Sequence, residues 1–154
     1  MALPDSDPPG FPGLGRRARA SGHPGPVAPW RDRLGVANTH LDHVGTMARE
    51  RSAALIADWL GQEPDRAWVV LGDLNDQPGS RPLRLLAEAG YIDALGPESG
   101  GTEHAFSGAT DRTRIDYVLV GRDVQVRAAW ISHSRPRGRL PSDHWPVLAD
   151  LTVG

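Results

Sequence analysis

Four short polar clusters sit where apolar runs of this chain stop, and they limit the folds it can adopt. They are Asn38-Thr39-His40-Leu41-Asp42-His43, Gly72-Asp73-Leu74-Asn75-Asp76, Arg114-Ile115-Asp116-Tyr117 and Ser142-Asp143-His144-Trp145-Pro146. An apolar run of four to eight residues is the length of a buried strand. A fold that collects the ends of several strands on one side therefore gathers His, Asp and Asn together. Such a gathering of imidazole and carboxylate groups is what metal-assisted hydrolysis of a phosphoester requires.

Between the clusters the pattern alternates strand and helix. Leu34 to Thr39 reads as a strand, and Thr46 to Leu60 as a helix with Gly61 as its stop. Spacings of three and four put Ala48, Ser52, Leu55, Ile56 and Trp59 on the inner face of that helix, with Arg49, Glu50 and Asp58 toward water. Ala67 to Leu71 is a continuous apolar run, consistent with a buried strand. Ser80 is placed to cap a second helix, with Pro82 in its first turn, Leu83, Leu86 and Ala87 as its buried stripe, and Gly90 at its end. Residues 91 to 113 read as a looser surface crossing. Ile115 to Val120, Val124 to Ile131 and Trp145 to Leu151 read as strands. The order strand, helix, strand, helix, then strands predicts a mixed α/β domain over residues 34–154.

Residues 1–33 differ from the rest. They are dense in Pro and Gly, with Arg16, Arg17 and Arg19 clustered between. They lack helical or alternating periodicity, which predicts a disordered segment. A basic arm touching phosphate is the functional alternative, though three arginines give it a weak electrostatic footing.

The 154 residues suffice for one domain with one core. A formal net charge of −2 gives no strong attraction to nucleic acid or to an anionic membrane. The absence of cysteine excludes disulfides, thiolate metal sites and a cysteine nucleophile. No stretch approaches the roughly 20 apolar residues of a membrane span, and Met1 to Asp5 lacks a signal-peptide pattern. Cytoplasmic location is the default expectation, with the compartment left open. All basic residues other than histidine are arginine, which suits bidentate phosphate contacts but is explained more simply by a GC-rich coding sequence.

Each cluster has a chemical and a plain structural reading. Asp73 and Asn75 are two apart, so an extended backbone points them the same way; a turn explains the same residues through local hydrogen bonds. Asp143-His144 suits metal or proton-transfer chemistry, or is a capped loop with a solvated histidine. Asp116, inside a run of β-formers, needs a partner: either a histidine ring nitrogen or Arg114 or Arg112. His40 can donate to a phosphoryl oxygen from a strand terminus, or be a satisfied core or rim histidine. Asp42 and His43 read as rim residues.

Taken in order, the four clusters resemble the endonuclease/exonuclease/phosphatase superfamily, which includes DNase I-like nucleases, inositol polyphosphate phosphatases and neutral sphingomyelinases. The resemblance runs from about Leu34 to Thr152. It implies a DNase I-like two-layer β-sandwich flanked by helices, with a site at one end, Mg²⁺ or Mn²⁺ as cofactor, and in-line attack of water on a phosphodiester or phosphomonoester. By the same resemblance His40 contacts the phosphate, Asp73 positions or activates water, and Asn75 holds the phosphate. Asp116 orients His144, the last histidine, and Asp143 lies at the metal edge. The substrate class covers nucleic acids, inositol phosphates and phospholipid headgroups.

The chain departs from that family in its first part. An asparagine and a metal-binding glutamate of the family have no counterpart here, since no glutamate precedes Glu50. The expectation is a C-terminal half-domain, its opening residues arising from a shifted frame or wrong start. A weakened metal site should follow, and a sheet face left partly uncovered around Val69, Leu71 and Ile115, available for self-association or for a partner. Two other readings compete. His40-Leu41-Asp42-His43 echoes the zinc motif of metallo-β-lactamase-fold hydrolases, but Asn38 stands in the place of its first histidine. Alternatively, the chain is an inactive member that binds phosphate weakly or packs against a partner.

Overall fold

The computed structural model describes residues 34–154; the expected disordered segment 1–33 lies outside the described residues. Strand β1 (Leu34–Asn38) leads through helix α1 (Thr46–Leu60) into strand β2 (Ala67–Asp73). Helix α2 (Arg81–Glu88) and the two-residue strand β3 (Ile92–Asp93) follow, then β4 (Asp116–Val120), β5 (Val124–Ile131), a 3₁₀ turn at Pro136–Gly138 and β6 (Val147–Val153).

The strands form two sheets. One has the order β1-β2-β4-β3; β1 and β2 are parallel and the other pairs antiparallel. The parallel pair is joined by α1, as a parallel pair requires a long crossover. The second sheet is the antiparallel pair β5-β6.

Strand β2 shows why its sequence is an unbroken apolar run: both of its faces are buried. Trp68 and Val70 join Tyr117 and Leu119 of β4 in a core with Ala53 and Leu60 of α1 and Leu83 and Leu86 of α2. On the opposite face Ala67 and Val69 join Val118 and Val120, and β5-β6 covers them through Val124, Val147, Ala149, Leu151 and Val153. Alternating Asp150 and Thr152 of β6 face water. The mixed α/β reading is thus built as helices, sheet, second sheet.

Several local expectations shift. The buried residues of α1 are Arg49, Ala53 and Leu60, with Ile56 and Ala57 packed nearby, whereas Leu55 is 70 % exposed and Trp59 52 %. The helix is rotated from the stripe its apolar residues suggest, because Arg49 finds an acid inside, Asp76 at 2.9 Å. Trp59 still tilts against Trp68, whose ring fills the space where a Cβ on Gly35 would stand. In α2, Leu83 and Leu86 are buried as expected but Ala87 is exposed, and the N-cap Ser80 makes no side-chain cap bond. Of the face expected to be partly uncovered, Val69 is covered by β5-β6 and is 4 % exposed, Leu71 and Ile115 are half-buried, and Val36 on the neighbouring edge strand is 58 % exposed. Residues 91–113 are more than a surface crossing, since Thr102 and His104 within them are fully buried.

Candidate active site

Register creates the site. In the antiparallel β2-β4 ladder the last residue of β2, Asp73, is the direct partner of the first residue of β4, Asp116. Directly opposed residues of such a pair project to the same face. That face is the interlayer one, because Asp73 follows Val69 and Leu71 at spacings of two, and Asp116 precedes Val118 and Val120 likewise. The two carboxylates therefore sit at one end of the sandwich, between its layers.

The second layer supplies the histidine. His144 lies just before β6, and its Nδ1 is 2.8 Å from Asp116 Oδ2. Of the three partners open to Asp116, the ring is the one it takes; Arg114 pairs with Asp93 at 2.7 Å and Arg112 approaches Glu103 at 3.7 Å. A carboxylate bound at Nδ1 fixes the tautomer with Nδ1–H donating, and leaves Nε2 free for proton exchange. Asp73, Asp116 and His144 offer ligand atoms all within 4.8 Å of one another.

His40 reaches the same place along the parallel edge. Pairing continues past the end of β1: Thr39 N–H donates to the Leu71 carbonyl at 3.0 Å and Leu41 N–H to that of Asp73 at 2.9 Å. This brings His40 Nε2 to 3.5 Å from Asp73 Oδ2, with the imidazole largely exposed. Gly72 makes the approach possible. Its φ is +131°, and a Cβ there would stand 1.9 Å from the Thr39 carbonyl oxygen.

Asn75 is placed differently from the extended-strand expectation. Strand β2 ends at Asp73, and Asn75 has φ +50° in the turn that follows. Its N–H donates to Asp73 Oδ1 at 2.8 Å and its side-chain amide to the Leu41 carbonyl at 2.8 Å. Asn75 thus ties the His40 segment to Asp73. Asp143 is exposed and accepts from the Ser142 hydroxyl at 3.3 Å; it is outside the group of three potential metal donors. Asp42, expected at the rim, accepts the N–H groups of Val44 and Gly45. Those two bonds hold its carboxyl below the usual range.

The charges interact. Burial raises the pKa of Asp73, the Asn75 N–H opposes that, and the nearby Asp116 charge raises it further. Burial of the His144 ring works against its charge. The hydrogen bond to Asp116 and the charges of Asp116, Asp73 and Asp143 outweigh it, so the pKa of His144 is raised. An open cleft of about 320 Å³ adjoins the pair, lined by Asp116, Ser142, His144 and Trp145 together with Leu71 and Val147.

Sequence reasoning missed three supports. Arg49 Nε binds Asp76 and its NH1 donates to the Asp42 carbonyl at 3.0 Å, joining the turns that carry His40 and Asp73. The Tyr117 hydroxyl donates at 2.9 Å to the Asp76 carbonyl. Burial pushes that phenol well above its ordinary pKa. Thr102 and His104 pack beside the Asp116–His144 pair; nothing in apolar periodicity marks them.

The sequence profile of the Endonuclease/Exonuclease/phosphatase family matches residues 3–144, and the chain belongs to that family. Solved structures agree in fold. A functionally unknown conserved protein from Enterococcus faecalis V583 is 26% identical with a TM-score of 0.69, covering 77% of this chain and 50% of its own. An endonuclease/exonuclease/phosphatase from Bacteroides vulgatus is 30% identical with a TM-score of 0.63, covering 75% and 48%. A mannosyl-6-phosphatase from Bacteroides thetaiotaomicron is 26% identical with a TM-score of 0.64, covering 75% and 49%. The chain spans about half the length of these relatives, and the described part has the corresponding portion of their DNase I-like architecture. No curated protein matches the sequence. Among the described residues no helix is long and apolar enough to cross a membrane.

Proposed function

We propose that this site hydrolyses a phosphoester with the help of a divalent ion, Mg²⁺ or Mn²⁺. The observation that carries the reading is the grouping of Asp73, Asp116 and His144 at one end of the sandwich. The donor chemistry fits the ion: hard divalent cations take one or two carboxylates and keep several waters. Asp73 and Asp116 would hold it, with Asp143 at its edge. Once bound, the ion would neutralise charge on the phosphoryl oxygens.

The chain's own residues supply the rest. Asp73 orients water for in-line attack and takes its proton. The bond from phosphorus to the leaving oxygen breaks as the new bond forms. His144 Nε2, free because Nδ1 is held by Asp116, gives a proton to that oxygen. His40 and Asn75 border the phosphate position, His40 from its exposed perch beside Asp73.

The test measures turnover of bis(p-nitrophenyl) phosphate and p-nitrophenyl phosphate with Mg²⁺, Mn²⁺ or Zn²⁺ added. We expect Mg²⁺- or Mn²⁺-dependent turnover, reduced at least about 100-fold by His144→Ala. Unchanged turnover in that variant would remove His144 from the mechanism, and activity with Zn²⁺ alone would favour a zinc hydrolase.

A second reading has its own observation. The second layer has only two strands among the described residues, and Val36 is 58 % exposed on the edge strand. On this reading the chain is a phosphate-binding or packing module whose open face takes a partner or a second copy. Absence of both turnover and Mg²⁺ binding in calorimetry, together with a dimer in sedimentation, would favour it.

A further inference from the structure

The two halves of the candidate site belong to different sheets. Asp116 opens β4 of the four-stranded sheet, and His144 precedes β6 of the two-stranded one. No strand ladder runs between β4 and β6 among the described residues, so sheet pairing does not fix the distance across the Asp116–His144 bond. Something else has to.

Thr102 occupies that position. Its side chain is fully buried. Its Oγ1 accepts two backbone N–H groups, Ile115 at 3.0 Å and Asp116 at 3.1 Å. Two donors fill both lone pairs of a hydroxyl oxygen. Its own carbonyl accepts the N–H of Trp145, the residue after His144, at 2.8 Å, and its N–H donates to Thr113 at 3.0 Å. The neighbours extend the seam. Glu103 forms a β-bridge with His144, and the N–H groups of His104 and Ala105 both donate to the Asp143 carbonyl, at 2.8 and 3.1 Å. The buried His104 ring tilts against Trp145 with centroids 4.4 Å apart. One residue is thus bonded to the backbone of the acid and to the backbone beside the histidine.

We propose that Thr102 is a positioning residue that sets the Asp116–His144 hydrogen bond by clamping the two sheets at the site; its catalytic consequence rests on the hydrolytic reading above. Valine has nearly the same shape as threonine but cannot accept a hydrogen bond. Thr102→Val therefore leaves the Ile115 and Asp116 N–H groups unpaired and frees the start of β4 to move relative to His144. Serine keeps the acceptor.

The experiment compares the full chain with Thr102→Val and Thr102→Ser. One readout is the low-field NMR resonance of the His144 ring proton bonded to Asp116, assigned by its loss in His144→Gln. The other is the split of kcat from KM. We expect Thr102→Val to lose the resonance and about 10–100-fold in kcat, with KM nearly unchanged. Thr102→Ser should keep both near wild type. If Thr102→Val does not fold, Thr102→Cys, a weak acceptor of similar size, takes its place. A folded Thr102→Val that keeps the resonance and kcat would overturn the proposal, as would a Thr102→Ser as impaired as the valine variant. Loss of the resonance in a chain whose wild type shows no turnover would support the clamp and remove the hydrolytic reading alone.

Discussion

Arg49→Met is the perturbation whose cost can best be worked out from the structure. Arg49 Nε lies 2.9 Å from Asp76 Oδ2, with side chains 11 % and 18 % exposed. Two unit charges at that separation attract by about 6 kcal/mol at an effective dielectric near 20. Most of that attraction offsets the desolvation of both groups. Deleting one partner of a buried pair strands the other, at about 3–5 kcal/mol. Residual exposure of both groups places this pair at the low end. The lost bond from NH1 to the Asp42 carbonyl contributes about 1 kcal/mol more. Methionine keeps the packing of the stem, so cavity terms are small. The expected loss is about 3–4 kcal/mol, a large share of the stability of a domain this size. Urea unfolding of the full chain measures it, with an unchanged m-value as the check that the denatured state is the same. A cycle with Asp76→Asn isolates the pair: the double variant should lose about 2 kcal/mol less than the sum of the singles. A coupling below about 0.5 kcal/mol would refute the argument that Arg49 turns inward because of Asp76.

Two further outcomes follow from the site. The folded-state pKa of His144 is raised above its unfolded value of about 6.5, so the proton is held more tightly in the fold. The stabilising contribution is then fully present below about pH 6.5 and is lost as pH rises through the folded pKa. Asp73, also raised, begins to lose its own contribution from about pH 3.9 upward, so the comparison with His144→Gln isolates the histidine. Urea midpoints in that window should fall with pH in the wild type and fall less in His144→Gln; equal slopes would argue against the pairing. Gly72→Ala would force a Cβ to 1.9 Å from the Thr39 carbonyl at a φ of +131°. It should destabilise by about 3 kcal/mol and broaden the His40 NMR signals; a loss under about 1 kcal/mol would contradict the close approach.

How much of this could be read in the sequence depends on the range of the interaction. The limits of α1 and the apolar run of β2 are local, and spacing and composition carry them: Thr46–Leu60 is the helix that Gly61 was expected to stop. The strand-end position of the polar clusters is also local, and register does the remainder by placing Asp73 opposite Asp116. The rotation of α1 was not legible, because apolar content outweighs one arginine until Asp76, distant in sequence, is known to lie beneath it. Of the two readings of Asp73 and Asn75 the turn with local hydrogen bonds holds and the extended one does not, since an i, i+2 rule lasts only as long as the strand, which ends at Asp73. For Asp116 the sequence left a histidine and two arginines in play, and only three dimensions give Arg114 to Asp93 and His144 to Asp116. Thr102 was the least visible of all. A polar residue in a stretch without periodicity carries no sign of burial, and its importance comes from four backbone bonds to segments that the chain reaches more than ten and more than forty residues later. Side chains that touch a substrate can leave a compositional trace at strand ends, whereas the groups that hold those side chains in register are set by the joints between layers.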